Sequence, residues 1–195
     1  VCNRAQALER LAERRDDLVI MGMVPDDPNL VFMPILDNEL IPVVWPGHPL
    51  VTAERATLED FARHYLLMRE PGSGARTAFE DFAARERISL HHTIELGTNE
   101  AIKQGVMAHL GVAVLPRLAV QLELASGLLA SPRIPGFPLK RSWCTVYPKD
   151  RYPTPVTELF LRFVRELLPE LNAHFRAPMT PIETPTLLCL PADEV

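Results

Sequence analysis

Residues 69 to 76, Arg-Glu-Pro-Gly-Ser-Gly-Ala-Arg, hold the densest set of ligand-capable groups in this 195-residue chain. An apolar run, Leu66-Leu67-Met68, precedes them, and a helix-like segment follows. Gly72 and Gly74 would let backbone N–H groups come close to a ligand, and a helix start offers unpaired donors with a partial positive charge. Ser73 adds a hydroxyl, and Arg69 and Arg76 add charge-assisted donors. The chemistry these groups suit is the holding of an anion. A plain strand-to-helix turn accounts for the same residues equally well. The spacing is not that of a Walker loop, because GxxxxGK[ST] is absent.

Two further stretches have the same character. Gly97-Thr98-Asn99-Glu100 also joins a strand to a helix. Its Thr and Asn are ideal caps, and capping alone would explain them. Met21-Gly22 ends the first clear strand, either as a point of ligand approach or as a simple terminator. Reacting groups are harder to find. His91 and His92 are neighbours in an expected strand, so they would face opposite ways. His48, His64, His109 and His174 fall in loop or helix-end contexts, and neither G-x-S-x-G nor H-E-x-x-H occurs. Ser73 has no base nearby in sequence, and Glu70 reads as a solvated or capping carboxylate. The pattern is that of a binding module and not an enzyme, with no cofactor and no metal cluster expected.

The elements that must position these turns alternate between helix and strand. Asn3 can cap a helix over residues 4–14, with Leu8, Leu11 and Ala12 as its apolar stripe. A buried strand follows at 18–23, and "LVFMPIL" and "ELIPVVWP" are two more strand candidates. Thr57 with Asp60 opens a short helix, and "YLLMRE" is then a strand. A helix is expected from about Ala75 to Arg87, with Ala78, Phe79, Phe82 and Ala83 inward. "HHTIELG" reads as a strand. Residues 98–111 read as a helix with Ile102, Val106 and Leu110 on one face and Gly111 as its C′ glycine. "VAVLP" is a strand, "RLAVQLELA" a helix and "SWCTVYP" a strand. The last element carries Val156, Leu159, Phe160, Phe163, Val164, Leu167 and Leu168 at helical spacing, which predicts a helix docked on the core. Residues 177–195 are Pro-rich, without usable periodicity. The alternation predicts an α/β fold with mainly parallel sheets, in two similar halves with a cleft between them, and "ELIPVVWPGHPL" as the crossing.

Bulk properties narrow the function classes. The formal net charge of −5 argues against nucleic-acid binding through this surface. Three widely spaced cysteines, Cys2, Cys144 and Cys189, read as free thiols in a reducing compartment. No apolar run of about 18 residues exists to span a membrane. The chain begins with Val1, so removal of a natural N-terminus is expected.

Several stretches together resemble the effector-binding domain of LysR-type transcriptional regulators. They are "NRAQALERLAERRDDLVIMGMVP", "PGHPL", "REPGSGARTAFEDF", "GTNEAIKQGVMAHLGVAVLP" and "PLKRSWCTVY". "DDLVIMG", "REPGSG.R", "NEAIKQGV" and the Arg141-x-Trp143 pair look most like the CbbR-type branch, which controls carbon-fixation operons.

The resemblance covers about residues 1–170 and implies two Rossmann-like subdomains of the periplasmic-binding-protein type (type II). Subdomain I would comprise about 1–42 and 147–176, and subdomain II about 43–146, with the tail 177–195 as an extension. A small anionic metabolite would sit in the cleft. The family's anion loop falls on Ser73 and Gly74, its polar helix start on Thr98, Asn99 and Glu100, and its first strand end on Met21 and Gly22. Arg69, Gly72 and Arg76 complete the expected set. The resemblance further implies a cytoplasmic homodimer or homotetramer, with promoter DNA bound only through an N-terminal winged helix-turn-helix that this sequence lacks. The first strand and helix of the effector domain are also missing from this sequence; if the protein itself lacks them, apolar surface would be left bare and the dimer should be weak. Ala75 stands where the family commonly has Thr. A solute receptor of the same fold serving transport is the alternative.

Overall fold

The structure, a computed structural model, describes residues 2–22 and 26–176; the Pro-rich segment 177–195 lies outside the described residues. The strands are β1 (Val19–Met21), β2 (Leu30–Val43), β3 (Leu66–Met68), β4 (Thr93–Glu95), β5 (Val112–Pro116) and β6 (Leu139–Pro148). They form one mixed sheet in the order β1-β6-β2-β5-β3-β4. The expectation of mainly parallel pairing is corrected. β1–β6, β6–β2 and β2–β5 are antiparallel, and only β5–β3 and β3–β4 are parallel. The reason is the length of β2 and β6, which run in opposite directions beside each other from Leu30↔Pro148 to Leu40↔Leu139. Only β3, β4 and β5 are linked by helical crossovers, which parallel neighbours require.

β2 also replaces the two strand candidates with a single strand. Pro34 and the polar pair Asp37-Asn38 lie within it. Pro34 is absorbed at a bulge, where the register shifts between Pro34 and Leu36, and such irregularities tolerate proline. Pro42 lies beyond the end of the β6 pairing at Leu40, so no β6 ladder asks it for an N–H.

The helices are α1 (Arg4–Ala12), α2 (Pro49–Thr52), α3 (Leu58–Ala62), α4 (Gly74–Arg85), α5 (Asn99–Met107), α6 (Gln121–Ala125) and α7 (Pro155–Arg176). Asn3 and Thr57 form the expected capping boxes, with Gln6 and Asp60 as their partners. α4 buries Ala78, Phe79, Phe82 and Ala83, as its spacing predicts, against Phe61, Leu66 and Val112. A second cluster joins Ile102 and Val106 of α5 to Leu67, Ala113 and Leu115. A smaller third packs Ala7 and Leu11 of α1 on Val19, Met21, Cys144 and Val146.

Several local readings are corrected. Leu110 is 60 % exposed, because α5 ends at Met107. The left-handed residue after that end is His109, at φ 60°, not Gly111. Gly111 is required for a different reason: a Cβ there would lie 2.3 Å from the Tyr65 carbonyl oxygen. His91 and His92 precede β4 instead of lying in it. "RLAVQLELA" divides into a 3₁₀ turn at Arg117–Ala119 and α6.

The largest correction concerns α7. Val156, Leu159, Phe160 and Phe163 are exposed, while Thr157, Leu161 and Val164 are buried. The helix lies against β2, where Asn172 Nδ2 donates to the Ile35 carbonyl at 3.2 Å. Helical spacing was right, but the face turned to the sheet is the narrower one.

His48 is buried at the start of α2. Its Nδ1 accepts from the Leu50 N–H at 3.2 Å, and its Nε2 has no partner. The Trp45 and His64 rings pack edge-on at 4.3 and 4.5 Å. Burial, then repulsion from His64 and His109, lowers the His48 pKa to about 4. Cys2 and Cys144 are free thiols, and burial raises the Cys144 pKa. Cys189 lies outside the described residues.

Candidate functional site

A cleft of about 130 Å³ opens between the end of β1, the middle of β2 and β6, and the start of α4. Six of the expected site residues line it: Met21, Gly22, Arg69, Ser73, Gly74 and Asn99. Gly72, Arg76, Thr98 and Glu100 do not.

Each of those four has other work. Gly72 sits at φ 88°, where a side chain would be strained. Its carbonyl accepts from the Ala5 N–H at 3.2 Å, tying the α1 start to this turn, and a Cβ would meet Ala5 Cβ at 2.9 Å. Arg76 pairs with Glu80 at 2.7 Å and Glu95 at 3.1 Å, and donates to the Arg69 carbonyl at 3.0 Å. The Glu80 bond, ahead of burial, leaves its pKa raised. The Thr98 hydroxyl accepts from the Ala101 N–H at 3.0 Å and so caps α5. Glu100 turns to Lys103 at 2.8 Å, a bond that holds its carboxyl below the usual range.

The α4 start is different. Ser73 occupies the N-cap position but makes no side-chain cap bond, although it is 5 % exposed. The first helical bond runs from the Thr77 N–H to the Ser73 carbonyl. The N–H groups of Gly74, Ala75 and Arg76 therefore have no helical acceptor, and among the described residues no other group takes them. A small anion at the cleft end of α4 would meet the Ser73 hydroxyl, these donors and the positive end of the helix.

Arg69 is a poorer ligand group than its position suggests. Its Nε and Nη2 are held by both Glu70 oxygens at 2.8 and 2.9 Å, and Nη1 donates to Asn99 Oδ1 at 3.3 Å. That bidentate bond lowers the Glu70 pKa, so the pair brings no net charge to the cleft. Arg69 fixes Asn99 in place instead.

Arg141, which was not among the expected site residues, is a cation open to a ligand. It lines the cleft from β6, and among the described residues its one hydrogen bond runs from Nη1 to the Lys140 carbonyl at 2.9 Å. Among the described residues no carboxylate pairs with it. Asn38 stands directly across the ladder from Arg141 and is 6 % exposed. Trp143, two residues on from Arg141 and so on the same face, adds an apolar wall. The signal for these residues was the Arg-x-Trp spacing, whose period of two put both side chains on one side of a strand. Gly22 completes this wall, because a Cβ there would approach Asn38 Nδ2 to 2.9 Å and the Trp143 ring to 3.8 Å. The groups are donors and one apolar surface, suited to binding. Among the described residues no cluster of three or more His, Cys, Asp or Glu could hold a metal. No helix among them is long and apolar enough to cross a membrane.

Comparison with known proteins identifies the family. The family described as the LysR substrate binding domain matches residues 1–169. A RuBisCO operon transcriptional regulator of Acidithiobacillus ferrooxidans is 41 % identical over 165 residues, covering 83 % of this chain and 52 % of that protein. The transcriptional activator CmpR of Synechocystis is 37 % identical over 162 residues, covering 83 % of this chain and 53 % of that one. The chain thus spans about half the length of these curated relatives. Among solved structures, the regulatory domain of CcmR from Synechocystis, in complex with 2-PG, superposes with a TM-score of 0.81 at 30 % identity. That match covers 88 % of this chain and 83 % of the other.

Proposed function

The chain belongs to the LysR substrate binding domain family, with the type II periplasmic-binding-protein fold, and from that premise we propose that it is the effector-sensing part of a CbbR-like transcriptional regulator. Its cleft takes a small anionic metabolite, bound without chemical turnover. The observation that carries this reading is the juxtaposition across one cleft of the uncapped α4 start, at Ser73 and Gly74, with the carboxylate-free Arg141. One charged hydrogen bond contributes roughly 1.5–3 kcal/mol, so two or three account for much of the roughly 8 kcal/mol of a micromolar ligand. The net charge of −5 gives an anion no long-range attraction, so the affinity must be local.

The reading divides the chain into one half of about 1–42 and 147–176 and another of about 43–146, with β2 and β6 as connectors. The packing of α7 on β2 supports it. The ligand would then draw the Arg141 wall and the α4 start together. It can shift the arrangement only by its differential affinity for the closed form. In the full-length regulator, this domain would pair with other copies in the cytoplasm, and promoter DNA would be bound through a separate N-terminal domain. The relatives reported above are regulators, which leaves the transport-receptor alternative without support.

The test is calorimetry with 2-PG, the ligand of the related CcmR domain, beside other small phosphates and carboxylates and their neutral alcohol counterparts. Saturable heat from at least one anion, and none from the neutral counterparts, is expected. Equal binding of charged and neutral probes, or no binding of any anion, would contradict the reading.

A further inference from the structure

We infer that Asn38 is a specificity-determining residue, which selects an anion carrying a hydroxyl group close to its charge over the same anion without one. This rests on the anion reading above and adds to it a second recognition element. Asn38 Oδ1 is buried and has no hydrogen-bond partner. A buried amide oxygen without a donor is unfavourable, and native folds seldom leave one without a reason. The residue is not buried in a sealed core; it lines the cleft at the middle of β2.

The Nδ2 end lies over Gly22, so close that a Cβ on Gly22 would reach it at 2.9 Å. The buried end without a partner is the acceptor, and a ligand hydroxyl is a donor of the right kind. An anion supplies no such donor by itself.

The distance scale follows from the sheet. Asn38 and Arg141 are direct cross-strand partners in an antiparallel pair. The Cβ atoms of such a pair stand about 4.5–5.5 Å apart on one face. Both side chains line the cleft, so a phosphate or carboxylate held by Arg141 lies on the face of the sheet that carries Asn38. Trp143, on the same face of β6, also lines the cleft. The ligand class that fits is a hydroxylated small acid or polyol phosphate.

The experiment is calorimetry on the intact chain with two matched pairs of probes. One pair is 3-phosphoglycerate and 3-phosphooxypropanoate, which lacks the 2-hydroxyl. The other is glycerol 3-phosphate and propyl phosphate. The parent should prefer the hydroxylated member by about tenfold, the value of one well-placed hydrogen bond. Asn38→Leu, of similar volume, should bring each pair within about twofold. Equal affinities within both pairs in the parent would overturn the inference while leaving the anion reading intact. So would a preference that survives in Asn38→Leu. If no probe of either pair binds, the anion reading itself fails and this inference with it. Should Asn38→Leu not fold, as judged by its melting curve, Asn38→Ala carries the same expectation, and the comparison within the parent decides in any case.

Discussion

α4 and α5 both begin at a glycine-bearing turn that follows a parallel strand, and both starts carry a hydroxyl residue at the N-cap. They use it in opposite ways. Thr98 closes its hydroxyl on the Ala101 N–H, and its neighbour Glu100 is drawn to Lys103. Ser73 makes no cap bond, and its helix opens into the cleft facing Arg141. By sequence both turns were candidates for an anion, with capping alone the stronger account of Thr98 and Asn99. The structure separates them: the α5 start is capped by its own Thr98, and the donors of the α4 start meet no acceptor among the described residues. A capping residue that does not cap, beside donors left unmet, is the mark of the second kind.

The largest effect that touches the fold alone comes from acid, and it supplies a control for the rest. His48 has a folded pKa of about 4 against an ordinary 6.5, so the unfolded chain binds its proton first. Stability should be undiminished above about pH 6.5. It should fall as the pH drops from 6.5 toward 4, by up to about 3 kcal/mol from this group. Thermal melts between pH 7.5 and 4.5 measure it. His48→Asn retains a cap acceptor and should flatten that slope; an unchanged slope would place the acid sensitivity elsewhere.

Next in size is Arg141→Gln. It should weaken a bound phosphate probe about 10- to 100-fold, the loss of one charged hydrogen bond, and leave the melting temperature unmoved. An equal loss from Arg76→Gln would break the comparison, since Arg76 is committed to Glu80 and Glu95.

The smallest effects sharpen it most. Thr98→Ala should lose about 0.5–2 kcal/mol of stability with ligand affinity unchanged. Ser73→Ala should do the reverse, weakening the ligand about two- to tenfold with little change in the melt. Paired melting curves and titrations on both variants check this. If both lose stability and neither loses affinity, both hydroxyls serve the fold only.

How much of this was legible depends on how local the signal is. The α4 turn could be read because Gly72-Ser73-Gly74 is a contiguous pattern with a mechanism of its own. The meeting of Asn38 with Arg141 could not, because it is made only through the β2–β6 register, 103 positions apart in the chain (141 − 38). Ion pairing was equally hidden. Nothing in "REPGSGAR" tells that Arg69 is neutralised by the next residue while Arg76 reaches back to Glu95. The α7 stripe failed in a third way. A 3.6-residue period establishes a helix, but with two apolar faces it does not say which one the sheet takes, and Leu161 and Val164 won over Phe160 and Phe163. Pairing direction was misread because alternating helix and strand signals describe β3 to β5 well and the long β2 and β6 poorly.

The most direct test of the difference between the two helix starts is an amide ¹H–¹⁵N NMR titration of the intact chain with 3-phosphoglycerate. The expected result is large, saturable shifts at Ser73, Gly74 and Ala75 and at the Arg141 guanidinium, with Glu100 and Ala101 nearly still. Saturable shifts centred on Glu100 and Ala101, with Ser73 to Ala75 and Arg141 unmoved, would contradict the account.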